Sequence, residues 1–92
     1  MLFAIACTDR PAGLRLRLTS RFDHLTFLER QAGSLILAGP LQDTDGRPSG
    51  SLLLIDASDR AEAERFAAGD AHAKAGSFRS TIIRSFQERF RN

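Results

Sequence analysis

An α+β sandwich is the fold class this sequence predicts, with four antiparallel strands in one sheet, two helices on one face and the order β-α-β-β-α-β. Three observations predict it. The chain opens on a continuous apolar run, Leu2 to Cys7. Its centre holds two apolar blocks, Leu35 to Ala38 and Leu52 to Ile55, separated by a stretch rich in glycine and proline. Segments of helical period follow the first run and the second block.

Leu2 to Cys7 suits a strand in the middle of a sheet, buried on both faces. Thr8 to Gly13, with Asp9, Pro11 and Gly13, ends it. Leu14 to Ala32 is mainly helical. Ser20 is placed to cap its main part, with Asp23 three residues on as the capping-box acid, and Leu25, Leu28 and Ala32 supply a buried stripe until Gly33 stops the helix. The stretch before Ser20 also reads as a separate turn of helix. Leu35 to Asp56 is a β-hairpin whose connection, about ten residues long, exceeds the usual hairpin loop and is therefore a candidate working loop beside a Gly39-Pro40 corner.

A second helix starts at Ser58 or Asp59, with Glu62 completing a capping box from Asp59. Ala63, Phe66 and Ala67 face inward and Gly69 ends it. Asp70 to Gly76 is a short connection or single turn, and Phe78 to Phe86 is the last strand, running on toward Phe90. Right-handed crossovers place both helices on one side, which makes this a ferredoxin-like sandwich. The other sheet face has nothing in the chain to cover it, so a second subunit is the expected cover.

The 92 residues make one domain, 1–92, with a single core of modest size. No apolar run reaches the roughly 20 residues a membrane helix needs, and the N-terminus lacks the basic start of a signal peptide, so no membrane contact and a cytoplasmic location are expected. Cys7 reads as a small buried hydrophobe, and one Cys with two His at unrelated spacing matches no zinc pattern. No metal and no cofactor are expected. The net charge of +2 rests on arginines, with Lys74 the only lysine, but no nucleic-acid motif accompanies them and no nucleic-acid binding is expected.

The residues able to carry chemistry are few. His24 borders the buried stripe of the first helix, and if that helix persists back to Arg17, then Arg17, Arg21 and His24 share one face, a row that would hold an anionic substrate beside an imidazole. Asp70 follows a helix-ending glycine and either caps the next turn or meets His24 across the fold, where a carboxylate would orient the imidazole for acid-base work. Asp43 and Asp45 in DTDG read as turn formers, and His72 as an exposed or loop-packing side chain. No glycine-rich phosphate loop or serine nucleophile elbow is present.

An apolar first strand, R-x-x-H from Arg21 to His24, LAGPLQDTDG at 38–46 and D-x-x-x-K-A-G at 70–76 together resemble the YCII-related (YciI-like) family over nearly the whole chain. The resemblance implies a ferredoxin-like unit that dimerises as an α+β barrel. It places the family's histidine on His24, its aspartate on Asp70 and its Gly-Pro corner on Gly39 and Pro40. The family's aspartate is usually followed by proline and an aromatic residue, whereas this chain has Ala71 and His72, a departure that bears on the pocket beside Asp70. Relatives include a dehydrochlorinase acting on a chlorinated hydroxyhydroquinone, and the fold is similar to that of muconolactone isomerase.

The expected function is therefore a homodimeric small-molecule enzyme of lyase or isomerase type, moving a proton on a small cyclic or aromatic acid. His24 and Asp70 are the candidate catalytic pair, with Arg17, Arg21, Gly39 and Pro40 as candidate substrate-binding residues. The alternative is a non-catalytic module that binds a small metabolite or a protein through the same cleft.

Overall fold

Alternation along the first strand decides how the sheet is built. Phe3, Ile5 and Cys7 are buried while Leu2, Ala4 and Ala6 between them are only half-buried, because successive side chains of a strand point to opposite faces. In the computed structural model, which describes residues 1–11 and 13–92, β1 (Leu2–Asp9) occupies the centre of a four-stranded antiparallel sheet. Its neighbours are β3 (Pro48–Asp56), which pairs Ile5 with Leu53, and β4 (Phe78–Phe86), which pairs Ile5 with Ile83. β2 (Leu35–Gln42) lies outside β3 at the edge, giving the order β2-β3-β1-β4. Ala12, within the turn expected over Thr8 to Gly13, lies outside the described residues.

The helical residues divide into α1 (Gly13–Thr19), α2 (Arg21–Arg30), α3 (Arg60–Gly69) and the single turn α4 (Ala71–Lys74). The ferredoxin-like α+β fold is the one expected. Its core takes Phe3, Ile5 and Cys7 from β1, Leu53 and Ile55 from β3, Ile83 from β4 and Ala63 from α3, with Leu28, Phe66 and Phe78 packed against it. At the start of α3 the Asp59 carboxylate accepts the Glu62 N–H at 2.8 Å, while the Glu62 carboxylate reaches back to the N–H and hydroxyl of Ser58, one residue earlier than a strict capping box.

Four expectations are corrected. Ser20 does not cap α2. Backbone bonds from Ser20 N–H to Leu16 C=O and from His24 N–H to Ser20 C=O carry the helical path through the junction, so the hydroxyl is free for other partners. The inward stripe of α2 is also displaced: Leu25 is 44% exposed and Ala32 is exposed, while Phe27 meets the Phe66 ring at 5.2 Å and Leu28 touches the core.

The hairpin connection shrinks to residues 43–47, and Gly39 and Pro40 form no corner, since they pair with Leu52 and Ser51 inside β2. Asp43 closes the short turn by accepting the N–H groups of Asp45 and Arg47, with Gly46 at φ +80°, and an edge strand tolerates the missing donor of Pro40. In β3, opposite Leu41, a Cβ on Gly50 would stand 2.1 Å from the Cys7 carbonyl oxygen of β1, so only glycine fits where β1 and β3 approach. Lastly, β4 ends at Phe86 and does not run on toward Phe90. Among the described residues no helix is long and apolar enough to cross a membrane.

Candidate active site

The site forms where the junction of α1 and α2 meets the link between α3 and α4. Asp70 sits in extended backbone between α3 and α4, ending one helix and starting the other. Its Oδ1 accepts the His72 N–H at 3.1 Å, so the capping role is real. The same oxygen lies 2.6 Å from His24 Nδ1, so the carboxylate also meets the imidazole of α2. A carboxylate oxygen only accepts, which makes His24 Nδ1 the protonated nitrogen of the neutral ring and leaves Nε2 with the lone pair. The His24 side chain is 13% exposed and that of Asp70 is 3% exposed. Asp70 Oδ2 is buried with no hydrogen-bond partner among the described residues.

His72, read from the sequence as exposed or loop-packing, is 2% exposed and belongs to this cluster. Its ring stacks on that of His24 with centroids 4.0 Å apart and an interplanar angle of 20°, and it meets Phe78 edge-on at 6.2 Å. His72 Nδ1 lies 2.6 Å from the Ser20 hydroxyl, which also lies 2.8 Å from the Leu16 carbonyl oxygen. Burial, reinforced by the neighbouring His24, lowers the His72 pKa to about 4, with Asp70 opposing the shift. A signal for this residue was present in the sequence: it occupies the second position after Asp70, where the resembled family has an aromatic ring.

The other candidates are dispersed. Arg17 was expected in a row with Arg21 and His24 facing a bound anion. Instead its guanidinium bonds both Asp9 oxygens at 3.1 Å and the Ser51 hydroxyl at 2.8 Å, above the Phe78 ring. Its charge is already matched by a buried carboxylate. Arg21 is exposed at the start of α2. Gly39 and Pro40 remain in β2, joined to this region only through the pairing of Pro40 with Ser51. Cys7 is buried and free, its thiol pKa raised by that burial. Among the described residues no group of three or more His, Cys, Asp or Glu side chains comes together to hold a metal ion.

A groove of about 660 Å³ runs between α2 and α4, lined by Ser20, Phe22, Phe27, Arg30, Gly69 and Lys74 among others; His24, Asp70 and His72 are not in its lining. On the uncovered sheet face Leu37 and Leu41 of β2, Leu52 of β3, and Ile82 and Phe86 of β4 are between 38% and 50% exposed. They alternate with the core positions, so the face is apolar and unpartnered in the single chain.

Comparison with known proteins places this geometry. A solved structure of 5-chloro-2-hydroxyhydroquinone dehydrochlorinase from Burkholderia phenoliruptrix AC1100, in complex with 2,5-dihydroxybenzoquinone, is 31% identical, with a TM-score of 0.90 over 97% of this chain and 96% of that one. Two more distant structures share the fold. SnoaB, a cofactor-independent oxygenase from Streptomyces nogalater, is 15% identical at a TM-score of 0.58, covering 99% of this chain and 96% of its own. A NIPSNAP family protein from Agrobacterium tumefaciens is 14% identical at 0.52, covering 90% and 87%. No curated protein matches the chain. The YCII-related domain family matches residues 1–87, nearly the full length, and the chain belongs to that family.

Proposed function

We propose that this protein is a homodimeric enzyme that moves a proton on a small cyclic or aromatic acid or hydroxylated ring, in a lyase or isomerase reaction. The observation that carries the reading is the 2.6 Å contact between His24 Nδ1 and Asp70 Oδ1, an imidazole oriented by a carboxylate on one nitrogen and without a partner on the other among the described residues. The likeness to a dehydrochlorinase supports the substrate class.

In this reading His24 Nε2 takes a proton from the substrate, and Asp70 stabilises the imidazolium through Nδ1–H. In an isomerisation the same nitrogen returns the proton to a different atom. In a dehydrochlorination the electron pair released by the lost proton expels chloride, which leaves with the C–Cl bonding pair. Arg21 is exposed one turn before His24 and makes no ion pair among the described residues, so it is the cation proposed for an anionic group of the substrate. Gly39 has nothing within 4 Å of the place a Cβ would occupy, so packing within the chain does not require glycine there. That suits a wall kept bare for a ligand or a second subunit, while Pro40, facing the opposite side of β2 beside Ser51, would shape the helix side.

The apolar sheet face is proposed to be covered by a second copy of the chain, which would also wall the site, since the groove of the single subunit does not open on the dyad. The same observation favours the second reading, a non-catalytic module that binds a small metabolite or a protein.

Incubation of the protein with 5-chloro-2-hydroxyhydroquinone, following chloride release, together with sedimentation at several concentrations, tests both parts. The expected result is a dimer that releases chloride. Binding without turnover of this compound and of other small cyclic acids overturns the enzyme reading in favour of the module, and a monomer at all concentrations overturns the assembly.

A further inference from the structure

The proposed reaction uses His24 and Asp70, yet the side chain most firmly held in the site is the other histidine. Its backbone N–H goes to Asp70 Oδ1, its carbonyl oxygen accepts from both the N–H and the hydroxyl of Ser77, and its ring lies between His24 and Phe78. The bond to Ser20 fixes its tautomer. A serine hydroxyl has one hydrogen; with that hydrogen on the Leu16 carbonyl oxygen 2.8 Å away, which also accepts the Ser20 N–H, the contact with His72 is made by Nδ1–H donating to Oγ.

We propose that His72 is a positioning residue for His24: a neutral imidazole, tied through Nδ1–H to Ser20 and through its backbone to Asp70, whose ring face keeps the His24 imidazole aligned on the Asp70 carboxylate. This deepens the reading of His24 as the proton-moving group and rests on it. Two N–H groups, from His72 and from His24, converge on the single atom Asp70 Oδ1, so a displacement of His72 displaces the acceptor that orients His24. Two rings at 4.0 Å leave the His24 imidazole little freedom to turn about its own axis.

Charge acts in the same direction. The groups that face His72 are His24, Asp70, Arg17 and Asp9, and the two carboxylates are each already bound to a donor from His24 or Arg17. A second positive charge against a protonated His24 would be repelled, whereas a neutral ring offers its π face to the imidazolium formed in the reaction. An aromatic hydrocarbon at this position would supply the face without the anchor at Ser20.

Because the chain has only two histidines, long-range ¹H–¹⁵N spectra resolve both rings. At about pH 8, where free imidazole is neutral, both rings of the wild-type protein are expected as the Nδ1–H tautomer, and His72 should keep that pattern down to about pH 5. Ser20→Ala should turn the His72 signal into a tautomer average. His72→Ala should do the same to His24, and His72→Phe should restore the His24 pattern. If His72→Ala does not fold, His72→Leu, which fills the space without an aromatic face, reads the same quantity. A His72 in the Nε2–H form, or a His24 pattern unchanged in the variants lacking the ring, overturns the proposal. The readout is the ring nitrogens themselves, so absence of turnover on any substrate would count against the proposed reaction and not against this arrangement.

Discussion

The chain opens two helices behind similar residues, Ser20 with Asp23 and Ser58-Asp59 with Glu62, and uses them for opposite purposes. At α3 the preceding backbone is extended, with Asp59 at φ −158°, so the first N–H groups of the helix have no partner and the carboxylate of Asp59 is drawn to one of them. At α2 the preceding turn is already helical and the backbone path continues through Ser20. The hydroxyl, buried and not needed at the helix end, turns to His72. A polar side chain at a helix start stabilises the helix only where the backbone leaves it something to bond. Where it does not, the same side chain is free to build a site.

If the α2 end is built for chemistry and the α3 end for stability, substitutions should separate the two. The largest effect is expected from His24→Ala, which should lower turnover by about 10²- to 10⁴-fold with KM changed far less, the range typical of general acid-base catalysis. Steady-state kinetics alongside thermal melts checks it. Turnover within a few-fold of wild type would remove His24 from the reaction.

The next effect is on stability and depends on pH. His72 has a folded pKa of about 4, below the value of about 6.5 for an unfolded histidine. The unfolded chain therefore takes up its proton first as pH falls. Stability is full above about pH 6.5 and declines toward pH 4, by up to about 3 kcal/mol from this residue alone. Denaturant titrations across that window should show the loss in the wild type and a flatter profile in His72→Phe. The α3 end holds no histidine; its shifted group is Glu62, whose carboxyl the bonds from Ser58 lower, so that contribution is lost only as pH falls below about 4.5 and Asp59 variants should keep the wild-type slope across the histidine window.

Much of this comparison was legible in the sequence and part was not, for identifiable reasons. The four antiparallel strands and the two helices on one face follow from apolar periodicity and the crossover rule, whereas spacing left Asp70 open between capping and His24, and the family resemblance is what pointed to the pair. Asp43 was read correctly as a turn former because its bonds are local. Gly39 and Pro40 were misplaced because a glycine and a proline signal a turn equally well when they stand in an edge strand, and only the pairing of Gln42 with Pro48 shows where the hairpin bends. Arg17 was misread because its partners, Asp9 and Ser51, are distant in sequence, and no helical spacing reveals a neutralising carboxylate in a strand. His72 was undervalued for the same reason, since its ring contacts come from α2 and β4.

The smallest pair of effects sharpens the contrast between the two helix starts. Ser20→Ala removes the only acceptor seen for His72 Nδ1–H among the described residues, in a buried setting, and should cost about 2 kcal/mol. Asp59→Ala removes an exposed cap and should cost about 1 kcal/mol, lowering Tm by about 4–8 °C in a domain of this size. The ranking is the informative part. Loss of a helix cap alone would make Ser20→Ala no worse than Asp59→Ala, and turnover would be untouched in both. With the hydroxyl holding His72, Ser20→Ala should be the more destabilising and the only one of the two to lower kcat, because the ring it releases lies against His24. Equal melting temperatures and equal kcat in the two variants would return Ser20 to the ordinary role its sequence context suggests.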